Sequence, residues 1–306
     1  PLVRQVWMTP PMIMDPPMNT RQGQFQRVDE DPLVGVVFEP DEWLCYPAQV
    51  GPVTVFVYFH QRFMGLGGTL ANLLELATEE QIAEGPDAVY AYGVPGDVLH
   101  RFGDLPTVYY EHPETGLLVG AVPGEDRFGY FGYLKKMVLT LHNLVAMRKG
   151  WMPFHGALVR ISLRGGATAN VLIIGDTAAG KSESLEAFRL MGEERIRELG
   201  IVADDMGSIR LSPQSELIAY GTEIGAFVRL DDLQKGYALF HVDRAIIMSP
   251  AKTNARVVLP VTTLAEVLAG TRVDFLLYAN NYEQVDEEHP VLERFEDATA
   301  ALSVFR

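Results

Sequence analysis

The segment from Gly175 to Ser182, GDTAAGKS, matches the pattern G-x-x-x-x-G-K-[ST], whose glycines let backbone N–H groups point at phosphate oxygens. The run NVLIIG before it predicts a strand, and SESLEAFRLMGEERIREL after it predicts a helix with a positive N-terminus. Lys181 is therefore expected to contact the β- and γ-phosphates of a nucleotide, and the Ser182 hydroxyl a metal ion. An ordinary glycine turn is the structural alternative, which the strand–loop–helix context disfavours. The predicted nucleotide-binding residues are Gly175, Asp176, Thr177, Ala178, Ala179, Gly180, Lys181, Ser182 and Glu183.

Two neighbouring carboxylates, Asp204 and Asp205, follow the strand-like residues of the segment IVADD. Acids at the end of a strand hold the metal ion in many enzymes with this type of phosphate loop. One carboxylate would bind the metal, and the other would orient water or accept a proton. Two acids in a solvated turn are the structural alternative, but their position as the next strand after the GDTAAGKS loop favours a functional role.

Three basic residues form a further candidate group: Lys135 and Lys136 on a predicted helix, and His155 at the start of the next predicted strand. Alone, a lysine pair is typical of a solvated helix face, and a single histidine is typical of a core. The chain has a formal net charge of -15, so a cluster of basic residues within it indicates a local anion site. The same charge argues against nucleic acid and anionic membranes as partners.

The order of these segments resembles the ATP-type phosphoenolpyruvate carboxykinases. The run YFGYLKKM…MRKGWMPFHGALV precedes GDTAAGKS and VADD, and IGAFVRL, TNARVVLP and VDFLLYANNYE follow in the order of that family. The separation of 19 positions between Lys136 and His155 equals the family's separation between its metal-binding lysine and histidine. Tyr130 is also in register, and Arg256 falls on the catalytic arginine. The resemblance covers roughly residues 125–285.

The resemblance implies a metal-dependent phosphotransferase that binds ATP or GTP with Mg²⁺ and Mn²⁺. One metal ion would be held by Lys136, His155 and Asp205, and Ser182 would contact the other on the nucleotide. Lysine can be a metal ligand only when neutral, which requires its pKa to be lowered. Oxaloacetate would lose CO₂, and the resulting enolate would accept the γ-phosphoryl group, with Tyr130 near the organic acid. The residues with implied catalytic roles are Lys181, Asp204, Asp205, Arg256, Lys135 and Tyr130.

Three segments, HGALV, GDTAAGKSES and IVADD, are more similar to the HPr kinases of the same P-loop superfamily. The chain lacks the Pro-Val-x-Pro-Gly-Arg-Asn segment of that group, which in turn lacks the Tyr–Lys–Lys run. The alternative function is therefore a kinase for a hydroxyl group on a small molecule or protein, with Asp204 or Asp205 as general base. A catalytically silent nucleotide-binding regulator is a second alternative, which the intact Lys181, Ser182 and both aspartates disfavour.

Two departures from the carboxykinase pattern leave the acceptor open. The family's Thr-Gly-Arg-Ser-Pro-Lys-Asp segment, whose arginine binds the carboxylate substrate, has no counterpart here. Arg62, Arg21 or Arg27 could replace it, although each is more typical of a surface residue. The family's C-terminal portion over the adenine also has no counterpart, so we expect either that nucleotide affinity and base choice differ or that residues of a partner chain contribute.

The elements that would position these residues predict an α/β fold with mixed sheets. A Pro-rich extended arm over residues 1–31 precedes an N-terminal α/β domain over 32–124 and a P-loop nucleotide- and metal-binding domain over 125–306. LVGVVF and VTVFVYF predict strands, ANLLELATEEQIAEG predicts a helix ending at Gly85, and residues 130–150 predict a helix ending at Gly150. Later segments, from GSIRLSP to VDFLLYAN, predict further strands.

Composition sets the remaining expectations. With 306 residues and 48% hydrophobic residues the chain can bury a sizeable core. The single cysteine, Cys45, excludes an intramolecular disulfide and is expected to be a packing residue. The sequence shows no signal peptide and no apolar run of about 20 residues, so a soluble cytoplasmic protein is expected. The sequence predicts neither oligomeric state nor preferred nucleotide.

Overall fold

The fold is a mixed α/β arrangement, seen in a computed structural model that describes residues 1–9, 11–175, 179, 181, 192, 194–231, 243–280, 284–286 and 290–304. The strands are β1 (Met12–Met14), β2 (Gln26–Arg27), β3 (Trp43–Val50), β4 (Val53–His60), β5 (Glu75–Leu76), β6 (Ala88–Val94), β7 (Val108–Glu111), β8 (Leu118–Pro123), β9 (Met152–Leu163), β10 (Thr168–Ile174), β11 (Ile196–Ala203), β12 (Met206–Leu211), β13 (Leu217–Gly221), β14 (Gly225–Arg229), β15 (Ile246–Met248), β16 (Arg256–Pro260), β17 (Thr271–Arg272) and β18 (Phe275–Tyr278). The helices are α1 (Met64–Thr69), α2 (Glu79–Glu84), α3 (Gly96–Leu99), α4 (Phe131–Arg148), α5 (Leu264–Leu268) and α6 (Ala298–Val304).

The first sheet has the strand order β2-β7-β8-β6-β4-β3-β5 and mixes parallel and antiparallel pairs. Its central strands are buried on both sides, because α4 packs on one face and apolar residues before β3 pack with α3 on the other. The segment LVGVVF contributes to this second layer as turns and irregular chain, so its prediction as a strand is wrong. Phe38 of that segment packs edge-on against Trp43, with ring centroids 4.8 Å apart.

The long helix α4 confirms the prediction over residues 130–150 and ends before Gly150, whose φ of +73° suits a glycine. It contacts four strands of the first sheet and also β9 and β12 of the second sheet. A helix enclosed in this way is buried around most of its circumference, which explains why even Lys135 and His142 are buried.

The second sheet has the order β17-β13-β12-β9-β10-β18, with β11 also paired to β9. One edge of β9 pairs with β10, and its other edge is shared by two strands. β12 pairs with Met152–His155, and β11 pairs with the later part of β9. The turn between β11 and β12, which contains Asp204 and Asp205, therefore lies beside the middle of β9. Gly156 N donates a hydrogen bond to Asp205 O at 3.0 Å, which fixes this turn.

The third sheet has the order β1-β15-β16-β14 and includes a strand from the Pro-rich arm. β1 runs parallel to β15 and pairs Met12 with Ile246 and Met14 with Met248. Apolar residues of β15 and β16 join those of the first sheet and α4 in one core cluster. The boundary between residues 124 and 125 stays a prediction.

Two helix predictions are corrected by the structure. Of ANLLELATEEQIAEG, only Glu79–Glu84 is α-helical, with a capping box at Thr78 and an end at Gly85, as expected. Leu73 and Leu74 insert into the core instead, and Glu75–Leu76 pairs with β3. The last part of the helix predicted after the phosphate loop, IREL, is also wrong, because Ile196–Ala203 is a strand on the edge of β9. Most of the rest of that predicted helix lies outside the described residues. Pairing along the long strand β9 outweighs local helix propensity there.

Cys45 is buried, as expected of a packing residue. Of the helices in the described part of the chain, none is long and apolar enough to cross a membrane.

Candidate functional site

The carboxylate of Asp205 is the centre of a cluster that we call the Asp205 cluster: Lys135, Lys136, His155, Asp205 and Glu223. Asp205 Oδ2 accepts from Lys135 Nζ at 2.8 Å and from Lys136 Nζ at 2.9 Å. Its Oδ1 accepts from His155 Nε2 at 2.9 Å. The structure thus brings together residues from α4, from β9 and from the turn before β12, which the sequence predicted to share a site.

Glu223 is a member of the cluster that the sequence did not predict. It lies between β13 and β14, and its Oε1 is 3.0 Å from Lys135 Nζ. The hydroxyl of Thr222 donates to Met206 O at 3.0 Å and so ties this connection to the strand that follows Asp205. A single acid between two strands has no recognisable pattern, and the contact with Lys135 spans 88 positions of the chain (223 − 135).

The charged groups of the cluster change one another's pKa values. Burial raises the pKa of Asp205, but Lys135, the hydrogen bond from His155 and Lys136 outweigh it and hold that pKa well below 3.8. Burial alone would lower the pKa of Lys135, but Asp205 and Glu223 reverse this effect and raise it. Burial raises the pKa of Glu223, and the charge of Lys135 opposes this only in part. Lys135 is therefore a permanent cation, whereas Asp205 is a permanent anion with low basicity.

One side of the cluster faces solvent and the other is sealed. The side chains of Lys136, His155 and Asp205 are 42%, 34% and 22% exposed, whereas those of Lys135 and Glu223 are 3% and 4% exposed. The accessible side therefore consists of the three residues predicted to bind a metal ion. Lys135 and Glu223 form the buried side of the cluster.

Three residues of the predicted phosphate loop lie within the described chain: Gly175, Ala179 and Lys181. Lys181 is buried, and its Nζ donates to Gly175 O at 2.7 Å. Gly175 N donates to His155 O at 3.3 Å, so the start of the loop is joined to the strand that carries His155. A Cβ on Gly175 would lie 2.8 Å from Ala279 O, which requires a glycine there. The other predicted loop residues lie outside the described residues: Asp176, Thr177, Ala178, Gly180, Ser182 and Glu183.

A comparison with protein-family models found no match, and neither did a search of curated protein sequences.

Tyr130 and Arg256 form a second group at the N-terminal end of α4. Their side chains share Phe227: the Tyr130 ring centroid is 5.8 Å from that of Phe227, and the Arg256 guanidinium carbon is 5.4 Å from it. Burial raises the pKa of Tyr130, while Arg256, a hydrogen bond with Asn254 and Lys135 act in the opposite direction. Tyr130 immediately precedes α4 and Lys135 lies in its second turn, about 7.5 Å further along the helix axis. The two groups are therefore neighbours.

Asp204 lies in the same turn as Asp205 and is partly buried. The arginines considered as substitutes for a carboxylate-binding arginine have other partners. Arg62 pairs with Asp126 at 2.7 Å, and Arg27 pairs with Glu111 at 3.4 Å. Arg21 donates to Gly23 O at 2.7 Å.

The donor set on the accessible side suits a divalent transition metal, because it combines nitrogen ligands with a carboxylate. Among the described residues there is no group of three or more His, Cys, Asp or Glu that could hold a metal ion. The third donor here is the amine of Lys136, which must lose a proton to act as a ligand. His155 Nε2 must likewise give up the proton that it donates to Asp205.

Proposed function

We propose that this protein transfers a phosphoryl group from ATP to a small carboxylate acceptor, in the manner of the ATP-type phosphoenolpyruvate carboxykinases. The observation that carries the proposal is the convergence of Lys136, His155 and Asp205 on the accessible side of one cluster, directly beside Gly175 and Lys181.

Lys136 Nζ, His155 Nε2 and the Asp205 carboxylate would hold one divalent ion such as Mn²⁺. When bound, such an ion supplies Lewis acidity toward an enolate or phosphoryl oxygen. Asp205 is suited to this role because its carboxylate is ionised throughout the physiological pH range. Lys135 keeps its ion pairs with Asp205 and Glu223 on the buried side of these three donors.

Positive charge from the chain itself would act on the transferred group. Lys181 and Arg256 supply cations toward the nucleotide phosphates and the γ-phosphoryl group, whose oxygens gain charge in the transition state. In the carboxykinase reaction, cleavage of a C–C bond of oxaloacetate releases CO₂ and leaves its electron pair on an enolate. The enolate oxygen then bonds to the γ-phosphorus, and ADP leaves. Tyr130, beside Arg256, would orient the organic acid.

A kinase that acts on a hydroxyl group, in the manner of the HPr kinases, is the alternative function. It requires a general base close to the acceptor hydroxyl. Asp205 is a poor base, because the charges of Lys135 and Lys136 and a hydrogen bond from His155 depress its pKa. This function would therefore depend on Asp204, which lies in the same turn.

The decisive experiment incubates purified protein with ATP and Mn²⁺ or Mg²⁺, with and without oxaloacetate, and measures phosphoenolpyruvate and ADP. Formation of phosphoenolpyruvate supports the proposal. ADP formed only with a hydroxyl acceptor supports the alternative, and nucleotide binding without turnover indicates a silent regulator. The Lys181→Ala variant should be inactive, whereas Lys149→Ala, at an exposed ion pair with Asp87, serves as the matched control.

A further inference from the structure

The Pro-rich arm is fixed between the two segments that carry Tyr130 and Arg256. Met18 N donates to Gly129 O at 3.1 Å, immediately before Tyr130. Ser249 N donates to Met14 O at 2.9 Å, at the end of the parallel pair of β1 and β15. The arm thus contacts the chain immediately before Tyr130 and the segment that leads to Arg256.

Side chains strengthen the contact between the arm and residues 249–254. Asp15 accepts from Lys252 Nζ at 2.7 Å and from Ser249 Oγ at 3.2 Å. The Asn19 side chain donates to Thr253 O, and the Asn254 side chain donates back to Asn19 O. Four separate polar contacts therefore hold this short segment against the arm.

The backbone of the same segment is unusual at both ends. Ser249 has φ +53° and Asn254 has φ +64°, and these are two of the three non-glycine residues with positive φ in the described chain. The left-handed region costs a non-glycine residue about 1 kcal/mol, although asparagine tolerates it better than most. Such a conformation persists where surrounding contacts hold it. Here those contacts come from the arm.

Asn254 connects the arm to the guanidinium group. Its Nδ2 donates to the arm, and its Oδ1 accepts from Arg256 Nε at 3.0 Å. Because a planar amide fixes both bonds at once, the orientation of Arg256 depends on the position of Asn19. With Nε bound to Asn254, the Nη nitrogens of Arg256 are the ones suited to bind an anion.

We propose that Asn254 is a positioning residue, through which the N-terminal arm sets the orientation of the Arg256 guanidinium. The consequence for phosphoryl transfer rests on the function proposed above. The positioning itself is a property of the folded chain and can be measured without turnover.

The test compares hydrogen exchange at Arg256 Nε in ¹⁵N-labelled full-length protein. The Arg256 signal is assigned by its loss in Arg256→Lys. Asn254→Gly removes the side chain but keeps a residue that readily adopts positive φ. It should accelerate Nε–H exchange at least tenfold. The double variant Asp15→Ala/Asn19→Ala, which leaves Asn254 in place, should do the same.

Two controls isolate the effect. Ser215→Gly changes the third positive-φ residue, which lies in the turn between β12 and β13, and Arg4→Ala removes an ion pair of the arm with Glu79. Exchange in both controls should stay within twofold of the unaltered protein. Unchanged exchange in Asn254→Gly, or in the double arm variant, would overturn the proposal.

Steady-state kinetics then test whether the orientation of the Arg256 guanidinium affects phosphoryl transfer. Asn254→Gly should lower kcat about 100-fold, because a misplaced catalytic group can cost that much, with KM for ATP within threefold. An equal fall in Ser215→Gly would show a general structural effect and contradict the specific role of Asn254. If the unaltered protein turned over no acceptor, the function proposed above would fail, while the exchange result would still decide whether the arm positions Arg256.

Discussion

At the scale of single residues, Lys135 is buried almost completely although it carries a charge. It is a buried cation whose charge is balanced by Asp205 and Glu223. Removing one partner of a buried ion pair leaves an uncompensated charge and is far more destabilising than removing both. This asymmetry gives a test of the pair that does not depend on activity.

We predict that Lys135→Met lowers the free energy of unfolding by about 3 kcal/mol. The double variant Lys135→Met/Glu223→Gln should recover part of that loss, because Glu223 is no longer a buried carboxylate without its cation. Urea denaturation followed by circular dichroism measures both. Lys149→Met is the matched control at an exposed pair, with an expected change below about 1 kcal/mol. A double variant no more stable than Lys135→Met would contradict a direct ion pair.

His142, buried in α4, should make stability depend on pH. Burial lowers the pKa of His142 to about 4, below 6.5 for an exposed histidine. As pH falls, the unfolded chain therefore binds this proton before the folded chain does. The contribution of neutral His142 to stability is fully present above pH 6.5 and is lost as pH falls toward 4. Between pH 7 and pH 5 this amounts to about 2 kcal/mol. Chemical denaturation at the two pH values measures the free energy of unfolding. Its decrease from pH 7 to pH 5 should be smaller by about that amount in His142→Leu than in the unaltered protein. An identical loss in both proteins would show that His142 does not cause it.

The sequence predicted most residues of the Asp205 cluster but neither Glu223 nor Asn254, and the reason is physical. Asp205 was predicted from its place after a strand and a phosphate loop, and Lys135, Lys136 and His155 from the resemblance in spacing to the carboxykinases. Glu223 and Asn254 lie in connections, where a single residue carries no periodic pattern. Their significance depends on long-range contacts with α4 and with the arm, which local sequence does not encode.

At the scale of elements, β9 positions the Asp205 cluster, because it carries His155 and pairs with strands on both edges. A Cβ on Gly156 would overlap the carbonyl oxygen of Ile173 in β10. We predict that Gly156→Ala destabilises the protein by about 2 kcal/mol, because the overlapping Cβ forces the two strands apart, and weakens Mn²⁺ binding. Thermal melts and Mn²⁺ titration followed by electron paramagnetic resonance measure the two effects.

Gly200→Ala provides the control in the neighbouring strand β11, where the added Cβ meets nothing closer than Arg160 Cβ at 3.8 Å. It should change stability by less than about 1 kcal/mol, since that is an ordinary contact distance. Equal effects of the two substitutions would argue against a special role of Gly156 in holding β9.

The element predictions failed where tertiary pairing overrides local preference. The segment IREL has the composition of a helix, yet it supplies the partner that the second half of β9 needs. LVGVVF has the composition of a strand, yet its apolar side chains cover the first sheet as turns. In contrast, α4 and β4 were predicted correctly because their patterns are long and agree with their burial.

At the scale of the whole molecule, the Asp205 cluster gathers two lysines and a histidine within a chain of net charge -15. The carboxylate of Asp205 holds these three basic side chains together. A ligand that binds the folded state alone stabilises it by about 2.7 kcal/mol at 100 times its Kd. We therefore predict that Mn²⁺ raises the melting temperature by a few degrees, on the order of 2 °C per kcal/mol. Ca²⁺ should have little effect, because it prefers oxygen ligands and the accessible side offers two nitrogens.

His155→Ala separates this site from weak binding of metal ions to the acidic surface. It removes one nitrogen donor and should abolish most of the Mn²⁺-dependent shift measured by differential scanning calorimetry. His112→Ala, on a turn remote from the cluster, should retain the shift. A shift of equal size in all three proteins would mean that Mn²⁺ binds elsewhere, and the accessible side of the Asp205 cluster would then lose its role as a metal site.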